Sequence, residues 1–245
     1  MSSLLYYITG HGYGHALRSC QVIWNLKQRC PELTVFVRST VPEWLFEHPH
    51  YSVEQSSQAL DVGIVQDDSL QMELGPTLDA CKGLHARVPS VIEQELDFIT
   101  KNNISLIIGD VPPLCFEVAA RAGLPSVAIT NFSWSGMYKG FLHVLPEFLP
   151  LVEQMDNFYR KTTLALTLPY SCEVEIFPVR EGIPFITRSS ALERREARER
   201  FGIPKLTTVV LLSFGGHGLK RLRLDRLMQQ KEFFFIGTGD TPRNE

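Results

Sequence analysis

Short runs of consecutive apolar residues recur along the first two thirds of the chain, and each is followed by a segment whose apolar positions have helical spacing. A continuous apolar run is typical of a strand that is buried on both faces of a parallel sheet. The predicted strands are residues 4–9, 33–39, 104–110 and 125–130. The predicted helices are residues 17–28, 76–102, 113–122 and 147–161, the second kinked or broken near Pro89. This alternation predicts an α/β fold, a Rossmann-like parallel sheet with helices on both faces.

The pattern changes after residue 169, where prolines accumulate. Ser190 and Glu193 have the spacing of a capping box at the start of a charged helix over residues 191–202. Apolar runs at 208–214 and 232–237 then begin a second strand–helix–strand unit, with the pair Gly215-Gly216 after the first run. We therefore predict an amino-terminal Rossmann-like domain at 1–187, a connector helix at 188–206 and the truncated start of a second Rossmann-like domain at 207–245.

Composition narrows the possible partners. A net charge of -3 and a sequence pI near 6.2 argue against nucleic acid and anionic membranes as partners. No apolar stretch approaches the ~18 residues of a membrane span, so we predict no integral membrane segment. The five cysteines are odd in number and lack a Cys-x-x-Cys pair, which indicates neither a disulfide framework nor a thiolate zinc site. These features predict a cytoplasmic protein.

A glycine-rich turn lies where the first strand meets the first helix. It contains Gly10, His11, Gly12, Gly14 and His15. Glycines let the backbone approach a ligand closely, and free amides at a helix start favour an anion. A dinucleotide-binding turn would have glycine where His15 stands, and a Walker motif would need Gly-Lys-Ser or Gly-Lys-Thr. NAD binding and ATP hydrolysis of those kinds are therefore disfavoured, and the glycines are candidate substrate-binding residues.

The two histidines of this turn have several interpretations. Helix capping or simple exposure accounts for many histidines, and a metal site is weakly indicated because no third ligand is evident. Ligands of open parallel sheets bind at the carboxyl ends of the strands, where both histidines lie. There a histidine can deprotonate a hydroxyl near neutral pH. We predict His15 as the catalytic base, His11 as a substrate-binding residue, and no metal.

Asp110 is the second candidate catalytic residue. It ends the predicted strand 104–110, so its carboxylate should face the same crevice as the glycine turn. It could orient His15 or bind a hydroxyl of the acceptor. It could equally cap the helix that follows, because a carboxylate is favoured at a helix amino end.

Further candidate substrate-binding residues lie after later strands. Asn131, Ser133 and Trp134 combine hydrogen-bonding groups with aromatic faces, a combination suited to sugar recognition, although Trp134 could instead be core. Arg188 lies at the predicted domain junction, where a guanidinium could pair with a diphosphate or form a surface salt bridge. Gly215 and Gly216 complete the candidate set.

The segments GHGYGHALR, GDVPP, TNFSW and LSFGG together resemble a known family. The resemblance is to the amino-terminal glycosyltransferase-like region of plant L-arabinokinases and its stand-alone bacterial relatives, from residue 6 to about residue 216. A more distant similarity is to the peptidoglycan N-acetylglucosaminyltransferase group, in which the position of His15 lies near the reaction centre. The resemblance implies the GT-B architecture, in which a first Rossmann-like domain holds the acceptor and a second holds the nucleotide-sugar.

These observations predict transfer of a sugar from a nucleotide-sugar to a hydroxyl-bearing acceptor, a hexosyltransferase-type reaction in the full-length protein. The nucleotide-sugar would be a substrate, and no cofactor is predicted. The chain is expected to be incomplete for this activity, because the second domain stops early. The alternative is a non-catalytic sugar- or nucleotide-binding module that regulates or scaffolds a sugar-metabolising enzyme. Donor, acceptor, stereochemical outcome and oligomeric state stay open.

Overall fold

The computed structural model describes residues 2–213, 224–227 and 229–237. The chain divides into two compact units. The first contains Met1–Val65 and Leu74–Thr187, and the second contains Gln66–Glu73 and Arg188–Glu245.

Eleven strands and seven α-helices are present in the described part of the chain. The strands are β1 (Ser3–Ile8), β2 (Thr34–Arg38), β3 (Glu54–Ser56), β4 (Gln66–Asp68), β5 (Gln71–Met72), β6 (Ile104–Asp110), β7 (Ser126–Thr130), β8 (Leu164–Thr167), β9 (Arg180–Gly182), β10 (Thr208–Leu212) and β11 (Phe233–Gly237). The helices are α1 (Tyr13–Arg29), α2 (Leu74–Lys101), α3 (Leu114–Ala122), α4 (Trp134–Lys139), α5 (Leu149–Tyr159), α6 (Arg194–Arg200) and α7 (Leu224–Leu227). Short 3₁₀ turns occupy Glu43–Phe46 and Pro146–Phe148.

The first unit is built on a seven-stranded sheet of order β3-β2-β1-β6-β7-β8-β9. Every neighbouring pair in this sheet is parallel. The chain moves outward from β1 on one side and returns to the other side at β6, so the strand order reverses between these two strands. Such a reversal opens a crevice outside the carboxyl ends of the strands. The predicted Rossmann-like parallel sheet is confirmed.

The central strand shows why helices cover both faces of this sheet. All six residues of β1 are buried. Leu5 and Tyr7 belong to a core cluster shared with α2, α3 and α5, whereas Tyr6 and Ile8 belong to a second cluster shared with α1. Alternate side chains of a strand point to opposite faces of the sheet. A strand whose residues are all buried must therefore be covered by other elements on both faces.

Helices α1 and α2 differ from the prediction, the first in where it begins and the second in its continuity. Helix α1 begins at Tyr13, four residues before the predicted start, so His15 lies in its first turn. Helix α2 continues through Pro89 over 28 residues. No described helix is long and apolar enough to cross a membrane.

The second unit contains the antiparallel pair β4–β5, the parallel pair β10–β11 and the short helices α6 and α7. The predicted capping box is not formed. Helix α6 begins only after Glu193, and the hydroxyl of Ser190 instead accepts a hydrogen bond from the amide of Leu192 at 3.0 Å. Serine often bonds its own backbone two residues ahead, and this local turn takes the place of the cap.

A buried ion pair joins the sheet to α2. Nε of Arg38 donates to Oε1 of Glu95 at 3.2 Å, and the hydroxyl of Tyr7 donates to Oε2 of the same carboxylate at 2.5 Å. The guanidinium also lies over the ring of Phe98, 3.8 Å from its centre. Because Arg38 and Glu95 are both buried, each charge depends on the other for its stabilisation.

Removal of one partner should therefore be costly. We expect Glu95→Ala to lower the free energy of unfolding by about 3–5 kcal/mol, because it leaves the buried Arg38 charge unpaired. Denaturation in urea measures this loss. Glu93→Ala, on the exposed face of the same helix, is the matched control and should change stability by less than about 0.5 kcal/mol. Equal effects of the two substitutions would contradict the assignment.

Candidate active site

The conformation of the glycine turn requires glycine at two positions, Gly10 and Gly12. Gly12 is the N-cap of α1 with φ of 89°, a backbone conformation that residues with a side chain rarely adopt. A Cβ at Gly10 would lie 1.9 Å from Oγ1 of Thr40. The amide of Gly12 donates to the carbonyl of Gly10 at 3.0 Å. The chain thus passes tightly from β1 into α1 and brings His15 to the carboxyl end of the sheet.

Asp110 ends β6 beside this turn and is fully buried. Its Oδ2 accepts from Nε of Arg18 at 2.6 Å and from the hydroxyl of Ser19 at 3.1 Å. Its Oδ1 lies 2.8 Å from Nδ1 of His15 and also accepts from Nη2 of Arg18. Helix α3, which follows, has Pro113 at its N-cap and no side-chain capping bond. The carboxylate is therefore directed at α1, not at the start of α3.

The electrostatics of this cluster favour the ionised carboxylate. Burial alone would raise the pKa of Asp110, but the neighbouring His15 and the hydrogen bonds and charge of Arg18 lower it below its ordinary value. Burial likewise opposes the charge of Arg18, but the hydrogen bond to Asp110 and the negative charge of that carboxylate together outweigh burial and raise the pKa of Arg18. Asp110 and Arg18 are thus an ion pair at neutral pH.

This ion pair decides which nitrogen of His15 carries the proton. Nδ1 lies 2.8 Å from Oδ1 of Asp110 and 2.9 Å from Nη2 of Arg18. An ionised carboxylate can only accept a hydrogen bond, and a guanidinium can only donate one. A hydrogen on Nδ1 satisfies the contact with Asp110, and a lone pair there would satisfy the contact with Arg18. We assign the hydrogen to Nδ1, because the contact with Asp110 is the shorter one and Nη2 of Arg18 already donates to Oδ1 of Asp110. The neutral imidazole then carries its lone pair on Nε2.

A crevice of about 310 Å³ opens beside this imidazole, within the first unit. It has a polar wall and an apolar wall. The polar wall is formed by Gly14, His15, Arg18 and Asn131, and the apolar wall by Leu168, Pro169, Phe185 and Ile186. The side chains of His15 and Arg18 are each 14% exposed, so both are accessible from the crevice while remaining mostly buried.

Two predicted site residues have structural roles instead of lining the crevice. The hydroxyl of Ser133 donates to the carbonyl of Glu173 at 2.5 Å and accepts from the amide of Gly136 as the N-cap of α4. Trp134 is buried in the core, and its Nε1 donates to Asp61 at 2.8 Å. Direct sugar contacts by Ser133 and Trp134 are therefore not supported, because neither side chain is accessible.

His11 does not line the crevice either. Its ring lies edge-on to Trp134, with 5.3 Å between ring centres. A Cβ at Gly63 would lie 2.7 Å from Nδ1 of His11, so the ring also packs closely on that glycine. The two histidines of the motif thus occupy different environments.

The remaining predicted residues lie elsewhere. Arg188 is exposed and begins the second-unit segment 188–245. Gly215 and Gly216 fall outside the described residues. Among the described residues, no group of three or more His, Cys, Asp or Glu side chains is arranged to hold a metal ion.

Sequence reasoning missed Arg18 and Asp61. Arg18 is three residues after His15, so both face the same side of α1, and this spacing could have revealed it. Asp61 follows no predicted strand. Burial raises its pKa, against the lowering effect of hydrogen bonds from Thr9 and Trp134.

Comparison with known proteins identifies the family. Residues 2–137, more than half of the chain, match the family model described as Glycosyl transferase family 1. The chain belongs to glycosyl transferase family 1. The predicted resemblance is also confirmed: the chain is 30% identical to L-arabinokinase of Arabidopsis thaliana over 218 residues, which are 86% of this chain and 20% of that protein. This glycosyl transferase chain therefore spans about one fifth of the length of that relative.

Solved structures support the GT-B fold. The glycotransferase of kitacinnamycin matches with a TM-score of 0.61 and 13% identity over 100% of this chain and 68% of that one. UGT2 of Phytolacca americana, complexed with UDP-2fluoro-glucose and pterostilbene, matches with a TM-score of 0.61 and 11% identity over 97% and 71% of the two chains. At these identities the likeness shows a shared fold, and function must be argued from the site.

The lowered pKa of Asp110 predicts how stability depends on pH. A carboxyl whose folded pKa lies below its unfolded value stabilises the fold fully above the unfolded pKa of ~3.9 and loses this contribution as the pH falls through the folded pKa. We expect Asp110→Asn to lower the free energy of unfolding at pH 7 by about 1–3 kcal/mol. The difference from wild type should shrink below about pH 4.

Urea denaturation at pH 7 and pH 3 measures both quantities. Asp79→Asn, on the exposed surface of α2, controls for the loss of a carboxylate elsewhere in the same unit. A difference between wild type and Asp110→Asn that persists undiminished at low pH would show that ionisation of Asp110 is not the stabilising factor.

Proposed function

We propose that the first unit binds the hydroxyl acceptor of a glycosyl transfer in the crevice beside His15, and that Nε2 of His15 is the general base. The observation that carries this proposal is the contact of 2.8 Å between Nδ1 of His15 and the ionised, buried Asp110. It leaves a lone pair on Nε2 at the edge of a crevice large enough for a small acceptor. A base of this kind contributes about 10²- to 10⁴-fold to the rate.

In the proposed reaction, the acceptor hydroxyl gives its proton to Nε2 as its oxygen attacks the anomeric carbon of the donor sugar. The bond between that carbon and the nucleoside diphosphate breaks, and the diphosphate leaves with the electron pair. The imidazolium that forms is stabilised by Asp110, which stays ionised. The amides at the start of α1 are candidates for contacts with the leaving diphosphate.

The donor class rests on the fold and on the relatives. The Phytolacca structure is described with UDP-2fluoro-glucose, which supports a nucleoside diphosphate sugar as the donor for this fold. In this proposal residues 1–187 form the acceptor-side domain, 188–206 the connector and 207–245 the start of the donor-side domain. Because the chain spans only 20% of the arabinokinase, we do not extend sugar phosphorylation to it.

One observation favours a second candidate function. The 30% identity is to part of an enzyme described as L-arabinokinase, so this chain could supply a sugar- or nucleotide-binding module to a sugar-metabolising enzyme. The two functions differ in turnover. A thermal-shift screen against nucleotide-sugars and free nucleotides reports binding, because a ligand of the folded state stabilises it by mass action. Binding combined with no transfer to any hydroxyl acceptor would favour the module.

The catalytic assignment predicts a specific kinetic pattern. We expect His15→Ala to lower kcat about 10²-fold or more while acceptor KM changes much less, because loss of the base affects the transition state more than loss of one hydrogen bond affects binding of the acceptor. Release of nucleoside diphosphate from a nucleotide-sugar in the presence of acceptor measures the rate. His143→Ala, at an exposed position of the same unit, is the matched control and should retain wild-type kcat.

A structural role of His15 would give the opposite pattern. The free energy of unfolding would fall by about 0.5–2 kcal/mol while kcat stayed within a few-fold of wild type. That result would contradict the proposed base.

A further inference from the structure

Arg18 lines the crevice, but its guanidinium nitrogens donate hydrogen bonds to other side chains of the protein. Nε and Nη2 donate to Asp110, and Nη1 donates to Oδ1 of Asn131 at 2.8 Å. All three nitrogens therefore contact other side chains of the first unit. The positive charge is balanced by the carboxylate of Asp110, which is buried directly behind it. The polar wall of the crevice consequently carries no uncompensated cation that would select an anionic ligand.

The bond to Asn131 fixes the orientation of that side chain. A guanidinium can only donate, so the oxygen of the Asn131 amide must face Arg18. The amide is planar, and its nitrogen therefore points away from Arg18. Asn131 lines the crevice, and among the described residues Nδ2 has no hydrogen-bond partner. Two N–H donors are thus available to a ligand.

The polar wall now has a defined hydrogen-bonding pattern. His15 offers an acceptor at Nε2, because Nδ1 is directed at Asp110. Asn131 offers donors at Nδ2, because Oδ1 is directed at Arg18. A ligand that matches both must offer a hydrogen-bond donor to Nε2 and an acceptor to Nδ2. Two neighbouring hydroxyl groups meet this requirement, since a hydroxyl can do either.

The opposite wall adds a second requirement. Leu168, Pro169, Phe185 and Ile186 present apolar surface to the same crevice, and Phe185 is 59% exposed. A ring with C–H groups on one face and hydroxyls at its edge would contact both walls. A carboxylate or phosphate in the crevice would contact apolar side chains on one side and an ion pair without net charge on the other. Neither wall would stabilise its negative charge.

We propose that Arg18 is a positioning residue that sets this hydrogen-bonding pattern, and that the acceptor is a neutral vicinal diol of the kind carried by a sugar or cyclic polyol. The inference rests on the proposed function, because it names the acceptor class for the crevice beside His15. Arg18 acts through Asp110 and Asn131 and does not itself bind the reacting hydroxyl.

Binding of methyl β-D-glucopyranoside tests the proposal without requiring turnover. We expect the glucoside to shift the side-chain amide signals of Asn131 in a ¹H–¹⁵N spectrum and to give a measurable Kd by titration. The matching glucuronide, which carries a carboxylate, and cyclohexanol, which has a single hydroxyl, should each bind at least about tenfold more weakly.

Asn131→Asp keeps the shape of the side chain and still accepts from Arg18, but it replaces the Nδ2 donors with an acceptor, so this side chain can no longer donate to an oxygen of the glucoside. We expect it to raise the Kd for the glucoside at least about tenfold with an unchanged Tm. Asn157→Asp is the matched control: Oδ1 of Asn157 accepts from Nη1 of Arg160 at 3.3 Å on the exposed surface, and this substitution should leave the Kd unchanged.

Arg18→Lys tests the positioning role. Lysine keeps the charge beside Asp110 but has a single nitrogen, so it cannot hold both Asp110 and Asn131 in the geometry of a guanidinium. We expect the Kd for the glucoside to rise about as much as in Asn131→Asp. If Arg18→Lys does not fold, Asn131→Asp still decides the result.

Three results would each overturn the proposal: no shift of the Asn131 amide by the glucoside, equal binding of glucoside and glucuronide, or an unchanged Kd in Asn131→Asp. Failure of the proposed function is distinguishable. A protein that binds the glucoside through Asn131 but transfers no sugar would contradict the proposed function alone. A protein that transfers sugar while binding the glucoside independently of Asn131 would contradict only the present inference.

Discussion

The buried carboxylate of Asp110 is the interaction on which the candidate site depends. It lies at the end of β6, and Arg18, His15 and Ser19 all approach it from one face of α1. Taking this carboxylate out of water is unfavourable, and only these donors and the charge of Arg18 keep it ionised. The same contacts fix α1 against the sheet and orient the imidazole, which lines the crevice. Under the proposed function, the stability of the helix–sheet junction and the reactivity of His15 have a common cause.

The topology explains why this cluster forms where it does. The sheet order reverses between β1 and β6, so the loop after β1 and the end of β6 meet at one crevice. The amide of Thr9 donates to the carbonyl of Asp110 at 3.1 Å and holds the two strand ends together. Gly12 then allows the sharp entry into α1. Residues that are 95 positions apart in sequence, His15 and Asp110, thereby come within hydrogen-bonding distance.

The sequence predicted much of this arrangement and missed the rest for identifiable reasons. Continuous apolar runs revealed the strands of the sheet centre, and the position of His15 and Asp110 after two such strands placed both at one edge. The outer strands β3, β8 and β9 are only three or four residues long and were not predicted, because so short a run has no distinct pattern. Ser133 and Trp134 have the residue types of a sugar site, but burial depends on tertiary packing that local sequence does not encode. Arg18 was overlooked although it shares the helix face of His15.

The proposed role of His15 requires its proton on Nδ1 and its lone pair on Nε2. Long-range ¹H–¹⁵N correlation spectroscopy of the histidine side chains, at a pH where His15 is neutral, reports this tautomer directly and requires no substrate. We expect a protonated Nδ1 and an unprotonated Nε2 for His15, and a loss of this preference in Asp110→Asn. A neutral His15 with its hydrogen on Nε2 would exclude the proposed base, because Nε2 would then be unable to accept a proton.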